Sequence, residues 1–286
     1  MNKFFIIANL DKDPELAMSK TVAEYITKRG CFCGYLGIYR RYGDNSAQEA
    51  ALKSIPLDTE AVIVLGGDGT IIQVASPLAK AGIPIIGINM GNLGYLAEVD
   101  KDNYEPVLDR LIADDYQIEE RMMLHGRVII GGEKVNTSRA LNEIVIARTG
   151  ALRVVKYEIY VNDKLLGTYD ADGIIVSTPT GSTGYNMSAG GPIVEPDARV
   201  ILITPVAAHT LNSRSIVLSP YDRLRVAVAP SRNDSPHEVQ ICFDGGIWFK
   251  ANPGDYVEIE QAQRKTRVIK MSKESFLDTL SRKISS

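Results

Sequence analysis

Cysteine and histidine are scarce, with three of each among 286 residues, and tryptophan occurs once. Cys31, Cys33 and Cys242 cannot build a disulfide framework. The run Cys31-Phe32-Cys33 has no second ligand pair with which to hold zinc, so free thiols buried in a strand are expected. No HExxH, paired CxxC or GxSxG pattern is present, which removes the usual zinc-hydrolase, zinc-ribbon and serine-hydrolase readings. The GxxxxGKS/T phosphate loop is also missing. No apolar run approaches the ~18 residues of a membrane span. The apolar part of Met1–Ala8 is too short for a secretory signal. Neither sign of charge dominates: 32 Lys and Arg stand against 35 Asp and Glu, so no global field draws nucleic acid. These absences point to a reduced, cytoplasmic protein with no membrane or nucleic-acid partner.

What is present is an ordinary globular composition, long enough for one large or two modest domains. Up to Ala113, strand and helix alternate. Phe4–Ala8, Cys31–Tyr39, Ala61–Leu65 and Ile83–Ile88 read as strands. Helices are expected over Pro14–Arg29, Ala47–Ser54, Thr70–Lys80 and Tyr104–Ala113, with Pro14 in a first turn, Gly30 as a stop and Pro77 as a kink. Such alternation predicts a Rossmann-like α/β domain with a parallel sheet and helices on both faces. From Ile118 to Val268 short strands take over: Arg127–Ile130, Glu143–Ala147, Val154–Val161, Gly173–Ser177, Val200–Thr204, Leu224–Ala229 and Val239–Phe243. Asn162-Asp163 and Gly245-Gly246 supply hairpin turns, and an all-β sandwich is expected. Ser272–Lys283 returns to helix. The expected divisions are 1–117, 118–268 and a C-terminal helix, 269–286, docking back on the first domain.

The most informative residues are Gly66-Gly67-Asp68-Gly69-Thr70, set between the strand ending at Leu65 and the helix after it. Glycines let backbone N–H groups approach an anion, and a helix N-terminus favours negative charge. Gly66, Gly67, Gly69 and Thr70 are therefore candidate phosphate-binding residues. Asp68 does not fit a simple phosphate cradle, because a carboxylate repels phosphate; it suggests a group that handles a hydroxyl or a metal ion. A second stretch runs from Asp172 to Asn186 and crowds Ser177, Thr178, Thr180, Ser182 and Thr183 into one loop. Five hydroxyls can serve a polyhydroxylated ligand, or can bond their own backbone. Asn142-Glu143 at a strand start could read an adenine edge or grip ribose hydroxyls. Gly87–Leu96 follows a strand and holds three glycines plus Tyr95, an aromatic able to stack on a base. His209 reads as structural, and Asp244 as an acid at a tight turn.

Taken in this order, the stretches resemble the NAD kinase family across nearly the whole chain, from Asn9 to the C-terminal helix. Gly66–Thr70 alone is shared with diacylglycerol- and sphingosine-type lipid kinases and looks related to phosphofructokinases. Asn142-Glu143 and Thr178–Tyr185 are more specific. Gly184 departs from the pattern, since the family usually has alanine before the tyrosine. The resemblance implies phosphorylation of the adenosine ribose 2′-hydroxyl of NAD by ATP, or by polyphosphate, with Mg²⁺ or another divalent cation on the phosphates. Asp68 would contact the ribose and act as general base, with Gly67 and Gly69 beside it. Tyr95 would pack by the adenine. Asn142, Glu143, Asp172, Ser177, Thr180, Thr183, Gly184, Tyr185, Ser188 and Asp244 would line the NAD side. Family members are homodimers or homotetramers, and Asp172 is the candidate for a cross-subunit contact. Two other readings share the Gly66–Thr70 corner or the fold: a lipid kinase, which calls for an apolar groove and membrane affinity, and a non-catalytic NAD(P)-sensing module, which has no need of Asp68.

Overall fold

A computed structural model describes the chain apart from residues 40–45, 92–93, 98, 151–153, 210–212, 231–237, 273 and 285–286. In chain order its elements are β1 (Lys3–Asn9), α1 (Ala17–Thr27), β2 (Phe32–Ile38), α2 (Ser46–Lys53), β3 (Ala61–Gly66), α3 (Asp68–Ala81), β4 (Ile85–Asn89), β5 (Val99–Asp100), α4 (Tyr104–Ile112) and β6 (Gln117–Arg121). There follow β7 (Leu124–Ile130), β8 (Glu133–Ala140), β9 (Glu143–Arg148), β10 (Val155–Val161), β11 (Lys164–Ala171), β12 (Gly173–Ser177), a 3-10 turn (Thr180–Thr183) and α5 (Tyr185–Ser188). The last are β13 (Ile201–Val206), β14 (Ile216–Leu218), β15 (Leu224–Val228), β16 (Val239–Phe243), β17 (Ile247–Ala251), β18 (Tyr256–Gln261), β19 (Thr266–Lys270) and α6 (Phe276–Ile284). They form two compact units, Met1–Arg121 with Thr266–Ser286, and Met122–Lys265.

The first unit holds a seven-stranded sheet in the order β2-β1-β3-β4-β19-β6, with β5 beside β4. All its pairings are parallel except that of β6 with β19. Phe4, Ile6, Ala8, Ile63, Leu65, Ile86 and Ile88 pack with Val22 and Ile26 of α1 and Leu108 and Leu111 of α4. The alternate residues Phe5, Ile7, Val62 and Val64 are buried as well. Ile71 of α3 lies against Gly87, on the other face of β4 from Ile86 and Ile88. Strands covered on both faces read as continuous apolar runs, which is why this sheet was legible. Three expectations are corrected here. α1 begins at Ala17, not Pro14, because Leu16 adopts a left-handed φ of 55° and the Asp13 carboxylate accepts the Met18 and Ser19 amides. α3 begins two residues earlier than expected, at Asp68, and runs on through Pro77. Cys31 is buried just before β2, whereas Cys33 and Cys242 are only partly buried.

In the second unit two antiparallel sheets, β11-β10-β15-β18-β7-β8 and β14-β13-β12-β9-β16-β17, share one core. Tyr157, Ile159, Val226 and Val257 of the first sheet meet Ile144, Ile146, Ile174, Val176 and Ile241 of the second. That is a β-sandwich. Asn162 and Asp163 turn the β10–β11 hairpin with φ of 49° and 64°, and Asp244 and Gly245 turn the β16–β17 hairpin with φ of 50° and 69°. The unit spans 122–265 and not 118–268, because the polar strands β6 and β19 pair with each other in the first unit's sheet. α6 belongs to the first unit and starts at Phe276, after Ser275, whose hydroxyl accepts the Asp278 amide.

Candidate active site

In the first unit β3 ends at Gly66, whose carbonyl accepts the Met90 amide. Gly67 is the N-cap of α3 and, having no side chain, leaves the helix without a side-chain cap. First-turn amides that no side chain caps give a helix end the partial positive charge that favours anions. Gly69 lies in that turn, and buried Thr70 accepts the Asn9 amide group at 3.4 Å. No motif marks Lys12, yet its exposed ammonium stands 3.5 Å from where a Cβ on Gly67 would lie and 3.1 Å from one on Gly91. It has no ion-pair partner among the described residues. The diglycine corner therefore carries a cation that sequence reasoning missed.

Asp68 is engaged more closely than its position in the motif suggests. Its Oδ2 accepts the Tyr95 amide at 2.6 Å, and its Oδ1 accepts those of Leu96 and Ala97 at 3.1 Å each. The Tyr95 ring packs 6.2 Å from that of Phe276, and the Lys283 ammonium lies 5.0 Å from its centre. Asn92 and Leu93 of the same loop fall outside the described residues.

In the second unit Asn142 and Glu143 open β9 and are gripped from two sides. From the β16–β17 turn, the Asp244 carboxylate accepts the amides of Leu141 at 2.7 Å, Asn142 at 2.8 Å and Glu143 at 3.0 Å. From the end of β12, the Ser177 hydroxyl and the Thr178 amide both donate to the Asn142 carbonyl, and the Thr178 hydroxyl donates to that of Leu141. The crowded hydroxyls thus divide. Ser177, Thr178, Ser182 and Thr183 all donate to backbone carbonyls. Among the described residues Thr180 Oγ1, Asn142 Oδ1 and Glu143 Oε2 are buried with no partner. Buried polar atoms are nearly always satisfied, so these three orphans on neighbouring loops call for a partner. Gly184 faces them: a Cβ on it would stand 3.3 Å from Asn142 Nδ2 and 3.4 Å from Glu143 Oε2.

Asp172 lies between β11 and β12 and is held by Arg148, another residue that sequence reasoning passed over, with Nε and Nη2 at 2.7 and 3.1 Å. That guanidinium keeps the Asp172 carboxyl below the usual carboxylate range. Tyr185 and Ser188 are exposed on α5. Asn186, fully buried between them, ties Ser182, Pro192 and Thr204 together and holds the loop in shape. His209 is exposed.

Burial pushes Glu143 up from 4.5 to about 8, with the Asp244 charge adding to the effect. Burial also lifts Asp244 from 3.8 to about 6, against the pull of its three amide donors. Both acids bind protons more tightly folded than unfolded, so their contribution to stability is full at low pH. It falls as pH rises through about 6 for Asp244 and about 8 for Glu143. A Glu143→Gln protein cannot ionise there and should lose less melting temperature than the wild type between pH 6 and 8. Equal slopes in melting curves across that range would contradict the burial of Glu143.

A strand–diglycine–helix corner with a carboxylate at its centre is phosphotransferase architecture; the second unit, by itself, holds three unpartnered buried polar atoms near the starts of β9 and the 3-10 turn. The ATP-NAD kinase N-terminal domain model matches residues 4–116, and the ATP-NAD kinase C-terminal domain model matches 141–271. The NAD kinase of Lachnospira eligens is 39% identical over 99% of this chain and 100% of that protein. The NAD kinase of Agathobacter rectalis is 42% identical over 99% of each. Two solved structures share the fold at 20% identity. An NAD kinase from Archaeoglobus fulgidus in complex with ATP has a TM-score of 0.77 over 99% of both chains. Yeast NADH kinase complexed with NADH has a TM-score of 0.76 over 99% of this chain and 88% of that one. The chain belongs to the NAD kinase family.

Proposed function

We propose that this chain transfers the γ-phosphoryl group of ATP to the 2′-hydroxyl of the adenosine ribose of NAD, giving NADP. The observation that carries the reading furthest is Asp68, an anchored carboxylate at the uncapped start of α3. In the first unit, Gly66, Gly67, Gly69 and Thr70 bind phosphate through the helix N-terminus, Lys12 adds a positive charge over the glycines, and Tyr95 packs by the adenine. Asp68 orients the ribose hydroxyl and takes its proton. The loose transition state of phosphoryl transfer needs the proton removed only late, so positioning and charge cancellation dominate.

In the second unit, the orphaned atoms of Asn142, Glu143 and Thr180 bind the dinucleotide directly, and Gly184 gives it room. Asp244, Ser177 and Thr183 keep those groups in place. Asp172, Tyr185 and Ser188 lie further out, with Asp172 assigned to a neighbouring subunit's nucleotide in a homo-oligomer. Among the described residues no group of three or more His, Cys, Asp or Glu could hold a metal ion. A divalent cation on the triphosphate would neutralise its charge. No described helix is long and apolar enough to cross a membrane, and a cytoplasmic location suits both substrates. The lipid-kinase and sensing-module readings are not favoured, since both matching family models are those of NAD kinases.

The test is a coupled NADP-production assay with purified protein, NAD, ATP and Mg²⁺, repeated with polyphosphate. NADP formation is expected. NAD binding without product from either donor would return the chain to the sensing module.

A further inference from the structure

Asp68 sits on the first residue of a helix, so its Cα is fixed and only its side-chain torsions remain free. Three backbone N–H groups, 27 to 29 residues further along the chain, remove that freedom. A carboxylate offers about four lone-pair sites, two on each oxygen. Oδ1 accepts from Leu96 and Ala97 and is filled. Among the described residues Oδ2 accepts from Tyr95 alone, which leaves it one site open. The carboxylate also lies flat against Gly94, where a Cβ would overlap Oδ1, Oδ2 and Cγ at once. On the outer side, Phe276 and Lys283 of α6 hold the Tyr95 ring.

We infer that Gly94 and the amides of residues 95–97 form the positioning device for the catalytic carboxylate, and that they leave Oδ2 as the atom that receives the substrate proton. The inference rests on the kinase reading for its chemistry and on the geometry alone for the device. Three amide donors hold the carboxylate through three of its four lone-pair sites. They also place the open lone pair in one direction before substrate arrives. Gly94 is needed for the close approach and not for its backbone angles, since its φ lies outside the left-handed region. The three nearest atoms that a methyl group would meet there all belong to the Asp68 side chain, which can swing away. Gly94→Ala should therefore fold and simply displace Asp68.

The decisive experiment is a double-mutant cycle of Gly94→Ala and Asp68→Asn in the NADP assay. Gly94→Ala is expected to leave KM for NAD and ATP within about threefold of the wild type. It is expected to lower kcat about 10²-fold, the effect of a misplacement of about 1 Å. Added to Asp68→Asn, it should lower kcat no further, because the group it displaces is already gone. A kcat for Gly94→Ala within about twofold of the wild type, or losses that multiply in the double variant, would overturn the inference. Amide hydrogen exchange gives a readout independent of turnover. Asp68→Ala should speed exchange at Tyr95, Leu96 and Ala97, and unchanged protection there would disprove the device. A wild-type protein that makes no NADP would sink the kinase reading, and the exchange result would still decide the geometry.

Discussion

An Asp68→Asn protein is expected to fold and to turn over at least about 10²-fold more slowly than the wild type, the low end for loss of a general acid–base group. Asparagine keeps the size of the side chain but offers one acceptor oxygen and an NH₂ group. It cannot satisfy the Tyr95 amide on one side and the Leu96 and Ala97 amides on the other. Its NH₂ must face a donor, so the segment that holds the residue loosens as the proton acceptor is lost. Steady-state kcat for NADP production, with circular dichroism as the control for folding, measures the effect. A folded variant with near-wild-type kcat would remove Asp68 from the chemistry.

The second large effect is expected at Asp244. Its carboxylate accepts three consecutive amides, those of Leu141, Asn142 and Glu143, and so fixes the segment that bears two of the three orphaned atoms. Hydrogen bonds to a charged acceptor contribute about 1.5–3 kcal/mol each and do not sum fully, so Asp244→Ala should lose about 3 kcal/mol or more of stability. The residue also holds a φ of 50°, which aspartate and asparagine tolerate better than alanine. With the segment unpinned, KM for NAD should rise at least about tenfold, equivalent to about 1.4 kcal/mol of binding. Asp244→Asn keeps the turn preference and one oxygen, and should fall between the two. Chemical denaturation and NAD titration of the three proteins would settle the order. An Asp244→Ala protein with wild-type stability would contradict the anchoring role.

These predictions concern residues that the sequence flagged, but the reasons for them lie in tertiary contacts. Asp68 stood out because an acid among phosphate-binding glycines is chemically odd. That oddity says nothing of the amides of 95–97 that hold it. Asp244 read as an acid at a tight turn, and the turn is real, but the strand start it anchors lies about a hundred residues away in the chain. The hydroxyl-rich loop was legible as a cluster, and its two possible uses could not be separated by composition. Only the fold shows that Ser177, Thr178, Ser182 and Thr183 bond the backbone while Thr180 does not.

The strands divide in the same way. Runs such as Ala61–Leu65 and Gly173–Ser177 announce themselves because every residue is apolar or small and every position is buried. β8 and β11 were passed over: both are edge strands, exposed over half their length, with no alternation to read. β17 and β18 were also missed, and β6 and β19, rich in charge, were placed in the wrong unit until their mutual pairing showed where they belong. The sequence by itself determined what depends on neighbours along the chain: the strand–turn–helix corner, the burial of the central strands, the hairpin turns and the family. The tertiary structure alone decided what depends on residues far apart: the Lys12 ammonium over the glycines, the Arg148 clasp on Asp172, and the direction in which Asp68 points. Local conformational preference is written into adjacent residues, whereas the partner of a hydrogen bond or charge is chosen by the fold that brings distant segments together.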